Sequence, residues 1–139
     1  MNTKLNSYYL VGLVDGEGCF SITINKHRAK LEVRLIFEIE LREDDKEILE
    51  HVKETLGCGN IYHLTYERYQ KWKPHFKYKV SNFHDIYTRI IPFFRRYPLQ
   101  AKKKYSFEKF CAVAEIIKRK EHLSREGIET VRTIRNTVK

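Results

Sequence analysis

The sequence predicts an α+β fold in which one antiparallel sheet of about four strands carries helices on one of its faces. Three observations lead there. The apolar residues change from a helical period to a period of two and back again, twice, in the order α-ββ-α-ββ-α with one or two further helices behind. Each two-strand run alternates apolar with polar residues, so a hairpin has one face to bury and one to leave in water. No Pro- or Ser-rich linker interrupts the 139 residues, and residues 1–139 are read as a single domain.

The first helix begins near Ser7, with Asn6 or Ser7 as its cap, and is apolar through Val14. From Phe20 the period is two: Phe20, Ile22 and Ile24 alternate with Ser21, Thr23 and Asn25. A basic connection, Lys26 to Lys30, leads to the cleanest alternation in the chain. Leu31, Val33, Leu35, Phe37, Ile39 and Leu41 lie on one side, and Glu32, Arg34, Glu38 and Glu40 on the other, with Ile36 the apolar exception. Asp44 and Glu47 have the spacing of a capping box before a helix with Ile48, Leu49, Val52 and Leu56 on its stripe, stopped by Gly57. A second hairpin pairs Ile61–Tyr66 with Phe76–Val80 across a basic, aromatic connection holding Arg68, Lys71, Trp72 and Lys73. Asn82 caps a helix ending between Pro92 and Tyr97, and Pro98 breaks the chain. A long helix over Ala101–Lys120 is expected to turn Tyr105, Phe107, Phe110, Val113, Ala114 and Ile117 inward. Ser124 caps a last helix bearing Ile128, Val131 and Ile134.

The 27 Lys and Arg outnumber 18 acids, a net charge of +9 that favours a polyanionic partner. Aromatic side chains set among the basic ones suit nucleic acid better than a membrane surface, and no membrane partner is expected. No apolar run approaches the ~18 residues of a spanning helix, and the N-terminus lacks a signal-peptide pattern. Cys19, Cys58 and Cys111 stand far apart, so a reducing compartment is expected, a prokaryotic cytoplasm or an organelle matrix. The histidines show no zinc-site spacing. The polar face of the sheet, with Ser21, Thr23, Asn25, Arg34, Tyr62, Lys77 and Lys79 outward, has the hydrogen-bonding and basic character of a groove-reading surface. Simple solvation accounts for such a face equally well.

The stretch Tyr9 to Cys19 is chemically odd. Its apolar helix ends in Asp15 and Glu17, where the helix dipole disfavours carboxylates unless a cation compensates. Oxygen ligands of this kind suit Mg²⁺ or Ca²⁺. Gly12 and Gly16, four apart, leave one helix face bare enough for another backbone to approach. An ordinary core helix closed by glycine is the competing account of the same residues.

With that helix and the α-ββ-α-ββ-α order in view, the chain resembles the LAGLIDADG homing endonuclease family, on three stretches. These are Leu10-Val11-Gly12-Leu13-Val14-Asp15-Gly16-Glu17-Gly18, Pro98-Leu99-Gln100-Ala101-Lys102-Lys103-Lys104 and His122-Leu123-Ser124-Arg125-Glu126-Gly127. The resemblance implies a saddle-shaped antiparallel sheet over DNA, in the half-domain of a single-motif, homodimeric member. Gly12, Leu13, Asp15 and Gly16 would then lie at the interface between two motif helices. It implies that Glu17, one from each subunit, and the Gly16 carbonyl bind Mg²⁺, for which Mn²⁺ or Ca²⁺ could substitute in binding. Asp15 is assigned a structural part and Lys102 a catalytic one beside the scissile phosphate. The polar position at the end of the second strand falls between Glu40 and Arg42.

The substrate implied is double-stranded DNA, a near-palindromic site of roughly 20 base pairs for a homodimer, cut by hydrolysis of the phosphodiester. DNA contacts are expected from Ser21, Thr23, Asn25, Lys26, Arg28, Arg34, Glu38 and Glu40 in the first hairpin. Tyr62, Arg68, Lys71, Lys73, Lys77 and Lys79 are their counterparts in the second. An intron maturase binding RNA on the same fold is the alternative. A non-cleaving DNA-binding regulator is a further one, disfavoured because it has no chemical need for Glu17.

Overall fold

The computed structural model describes residues 4–65 and 74–137. Arg68, Lys71 and Lys73 therefore lie outside the described residues. Helix α1 (Ser7–Glu17) is followed by strands β1 (Gly18–His27) and β2 (Lys30–Arg42) and helix α2 (Lys46–Leu56). Then come β3 (Asn60–Leu64), β4 (His75–Val80), a helical stretch containing α3 (Phe83–Asp85) and α4 (Ile91–Arg96), α5 (Lys103–Lys118) and α6 (Arg125–Asn136). The four strands form one antiparallel sheet in the order β1-β2-β4-β3, so the two hairpins meet along β2 and β4.

The period-two reading holds in the register. Phe20 pairs with Phe37, Phe37 with Val80, and Ile39 with Tyr78, and all of these side chains are buried on one face. The helices cover that face. Phe20 is its centre, with the rings of Phe37, Phe94, Phe107 and Phe110 at centroid distances of 4.9 to 5.7 Å. Tyr78 is fully buried, and its hydroxyl donates to the Cys58 carbonyl at 2.6 Å. Burial pushes that phenol well above its ordinary pKa. The opposite face carries the polar alternates and, among the described residues, no helix.

Several boundaries differ from the sequence reading, each for a local reason. Asn6 Oδ1 caps α1 by accepting from Tyr8 and Tyr9, as expected, but the helix continues past Val14 through Glu17. The first hairpin turns on Arg28 and Ala29 alone, both at positive φ (48° and 67°). That is the two-residue turn matching strand twist, made here without glycine. Lys26 and Lys30 are consequently in the ladder and not in a loop. The capping box at Asp44 and Glu47 does not form. A 3-10 turn over Glu43–Asp45 intervenes, and α2 starts behind Asp45 without a side-chain cap. Gly57 closes α2 in the left-handed region, its N–H reaching the Lys53 carbonyl at 2.8 Å.

Asn82 Oδ1 caps α3 through Asp85 N–H at 3.0 Å. Proline at position 92 has no N–H for the carbonyl four residues back, and the preceding turn, Ile86–Ile90, widens into a π-helix. In α5 the buried residues include Cys111 and Ile116, while Tyr105 and Ile117 are only half-buried. Ser124 Oγ caps α6 by accepting from Gly127 N–H at 3.0 Å. All three cysteines are free, and burial pushes the Cys111 thiol up to about 11. Among the described residues no helix is long and apolar enough to cross a membrane.

Candidate active site and nucleic-acid interface

The end of α1 is where the unusual residues converge. Leu10, Val11 and Val14 are buried against the core, so the opposite side of the helix is turned out. That side carries Tyr9, half exposed, then Gly12, Leu13 and Gly16 at helical spacing. A Cβ added at Gly12 or at Gly16 would meet no atom within 4 Å. Neither glycine is demanded by packing within this unit. Gly18 differs: a Cβ there would lie 2.7 Å from Val14 Cγ1 and 2.9 Å from the Val14 carbonyl oxygen. Only glycine lets the chain pass from helix into strand in one step at that point.

Asp15 and Glu17 have separate surroundings. Asp15 Oδ2 accepts the backbone N–H of Gln100 at 2.9 Å, and Oδ1 that of Ala101 at 3.2 Å. The carboxylate thus satisfies donors at the entrance to α5, where the helix dipole also favours it. Glu17, the last residue of α1, is exposed, and no basic residue lies in its helical turn. It has no hydrogen bond or ion pair among the described residues.

The lysine run is sorted by the same corner of the fold. Lys102 is exposed at the start of α5. Lys103 is half-buried, and its Nζ donates to the Gly18 carbonyl, one residue beyond Glu17. Of the three lysines, Lys103 is the one the structure ties to the end of α1. The expectation for Lys102 concerns the phosphate and not this contact, and a run of identical residues offers no signal for which side chain reaches the Gly18 carbonyl.

The oxygen-only donor set suits a hard divalent cation: an exposed carboxylate, and carbonyls in the last turn of a helix. The described residues contain no group of three or more His, Cys, Asp or Glu side chains able to hold a metal. One carboxylate and neighbouring carbonyls leave coordination positions for ligands from outside the described residues.

The helix-free face of the sheet is a polar surface beside this corner. Thr23 pairs with Arg34, Asn25 with Glu32, Glu38 with Lys79, Glu40 with Lys77, and Tyr62 with Lys77. Ser21, Thr23, Asn25, Arg34, Glu38, Glu40, Tyr62, Lys77 and Lys79 thus share it. Arg28 sits in the hairpin turn. Lys26 does not join them. It pairs with Leu31 and shares its strand face with Ile24 and Ile22, opposite to the face of Ser21, Thr23 and Asn25. Arg34 is ion-paired with Glu32 at 3.2 Å. Lys77 lies 3.2 Å from Glu38 and 3.8 Å from Glu40, and Glu40 also meets His75 at 3.0 Å. His75 was not singled out from the sequence, where it follows Pro74 as a loop residue. Arg42 ends β2 and leads into the 3-10 turn, while Glu40 is engaged on the sheet.

Comparison with known proteins agrees with this geometry. The family model for the LAGLIDADG endonuclease matches residues 10–114. Probable intron-encoded endonuclease 3 of Neurospora crassa is 30% identical over 132 residues, 94% of this chain and 24% of that protein. Probable intron-encoded DNA endonuclease 1 of Mycosarcoma maydis is 30% identical over 103 residues, 74% of this chain and 35% of that protein. Among solved structures, the meganuclease I-SmaMI bound to uncleaveable DNA superposes with a TM-score of 0.88 at 29% identity, over 96% of this chain and 45% of that one. The I-LtrWI homing endonuclease bound to target DNA matches with a TM-score of 0.86 at 30% identity, over 97% and 44%. The chain thus spans about a quarter of the Neurospora relative and under half of either solved meganuclease. With the motif helix, the sheet and the family model in agreement over most of its length, the chain belongs to the LAGLIDADG endonuclease family.

Proposed function

We propose that this chain is one half of a site-specific double-strand DNA endonuclease of the homing type, hydrolysing the phosphodiester with Glu17 at the centre of a two-unit site. The observation that carries the reading is the exposed Glu17, without a hydrogen bond or ion pair among the described residues, at the end of a helix where a Cβ at Gly12 or Gly16 would meet nothing within 4 Å. A carboxylate at the negative end of a helix dipole is unfavourable by itself and becomes favourable beside a cation. Structures of I-SmaMI with an uncleaved target in the presence of calcium ions and with cleaved DNA support both the metal and the reaction class.

Glu17 and the Gly16 carbonyl would hold Mg²⁺ together with their counterparts from the second unit. Such a cation, when bound, would supply a more acidic water and charge stabilisation at the leaving oxygen. The chain's own residues do the rest. Asp15 fixes the entrance of α5 against α1. Lys103 keeps the Gly18 carbonyl, and with it the α1–β1 corner, in place. Lys102 is exposed for the phosphate. The open face, with Arg28 and Arg34 toward the hairpin tip and Lys77 and Lys79 on the second hairpin, binds the duplex.

The second unit is taken to be another copy of this chain, which brings +18, twice the +9 of one chain, to the DNA. The greater length of the solved meganuclease chains favours an alternative, a second similar unit on one polypeptide. Incubating the protein with a randomised duplex library and Mg²⁺, then sequencing the cut ends, tests the reading. Specific cuts in a near-palindromic site are expected from a homodimer. Specific cuts in an asymmetric site would favour a linked or different second unit. Preferential binding of structured intron RNA without any cut would replace the reading with the maturase one.

A further inference from the structure

The open face of the sheet is not uniformly basic. Two carboxylates, Glu38 and Glu40, lie on β2 next to β4, and these are the two inner strands of the β1-β2-β4-β3 order. An acid on a DNA-binding surface is repelled by phosphate. It is tolerated where the surface meets base edges, because some of those edges donate.

Register and side-chain placement single out one pair. Lys77 stands opposite Glu40 on the neighbouring strand, yet its ammonium is nearer Glu38, at 3.2 Å against 3.8 Å. Glu40 meanwhile meets His75 at 3.0 Å. Glu38 and Lys77 are only 23% and 29% exposed, whereas the Arg34 and Glu32 pair nearer the hairpin tip is 56% and 46% exposed. The inner pair lies down on the sheet, already ordered, and holds a donor beside an acceptor.

We propose that Glu38 and Lys77 act as one base-reading unit for a G·C pair in the major groove. This rests on the reading of the chain as a DNA endonuclease and adds the base chemistry of one position in its target. The G·C edge presents two adjacent acceptors, O6 and N7 of guanine, and then the N4 amino donor of cytosine. An ammonium beside a carboxylate is the complement: Lys77 donates to guanine, and Glu38 accepts from cytosine. An A·T edge presents an acceptor, a donor and a second acceptor before its methyl group, which leaves no two adjacent acceptors for the ammonium. Glu40 and His75 hold the unit from its other side.

The test is selection from a randomised duplex library by the full chain in Ca²⁺, with bound sequences counted for the wild type, Glu38→Gln, Lys77→Met and the exchange Glu38→Lys/Lys77→Glu. The wild type is expected to prefer G·C at one position in each half-site. Each single variant should lose that preference by roughly tenfold at that same position. The exchange should favour the reversed pair there. Loss of affinity spread evenly over all sequences would make these residues phosphate contacts and overturn the proposal. So would shifts at two unrelated positions, or no shift in any variant. If the wild type enriches no duplex at all, the endonuclease reading fails, and this proposal with it. If the wild type enriches a site that none of the variants alters, only this proposal fails.

Discussion

Asp15 Oδ2 accepts the backbone N–H of Gln100 at 2.9 Å, joining residues 85 positions apart in sequence. With the second bond to Ala101, the carboxylate ties the segment leading into α5 to the end of α1. Asp15→Ala is expected to lower stability by about 2 kcal/mol, since two backbone donors lose a charged acceptor. It should also lower the cleavage rate by loosening the start of α5, which carries Lys102 and Lys103. Urea unfolding and single-turnover cleavage measure the two effects. A variant with wild-type stability would show that the Asp15 bonds contribute nothing net.

Glu17→Gln removes a charge without changing shape. Because Glu17 has no protein partner among the described residues, stability should stay within about 0.5 kcal/mol of wild type or rise slightly. Cleavage in Mg²⁺ should fall by several orders of magnitude while DNA binding persists. Unfolding curves, gel shifts and cleavage assays on the same preparation separate these. Cleavage at the wild-type rate would remove Glu17 from the site.

Gly12 and Gly16 separate the stability of the single unit from the proposed pairing of two. Alanine at either position meets nothing within 4 Å, and it should stabilise the isolated unit by about 0.8–1 kcal/mol through helix propensity. Gly12→Leu should nonetheless abolish dimers in sedimentation, because the second helix can no longer approach. A stable dimer of Gly12→Leu would place the interface elsewhere.

His122 gives a pH-dependent term. Its Nδ1 is buried without a partner among the described residues, and burial lowers the imidazole pKa from 6.5. The unfolded chain therefore takes up the proton before the folded one does. The contribution to stability is fully present above pH 6.5 and is lost as pH falls through 6.5 toward the folded value. His122→Phe should melt with a smaller drop between pH 7.5 and pH 5 than the wild type, measured by circular dichroism. An equal drop in both proteins would show that His122 is not responsible.

Much of this was legible from residue order alone. The alternation from Leu31 to Leu41 places each side chain on a face by geometry of period two, and the register repeats it. Asn6, Gly57, Asn82 and Ser124 mark helix ends because capping is chemistry within a few residues. The motif helix with its acids and glycines is likewise a contiguous signal. The capping box at Asp44 was misread for a reason of the same kind in reverse. Its spacing was right, but β2 ran on to Arg42 and a 3-10 turn took up the residues that would have formed it.

What depends on distant parts of the chain was decided only by the tertiary structure. Local pattern could not direct Asp15 to Gln100, choose Lys103 over Lys102 for the Gly18 carbonyl, or set Lys26 on the strand face of Ile22 and Ile24 through a two-residue turn. Nor could it bring Lys77 between Glu38 and Glu40, since that follows from how two hairpins align along β2 and β4. The sequence by itself determined which faces the strand and helix residues occupy, because helical and strand periods are properties of neighbours. The partners of those residues were settled by packing, which joins side chains that no local period relates.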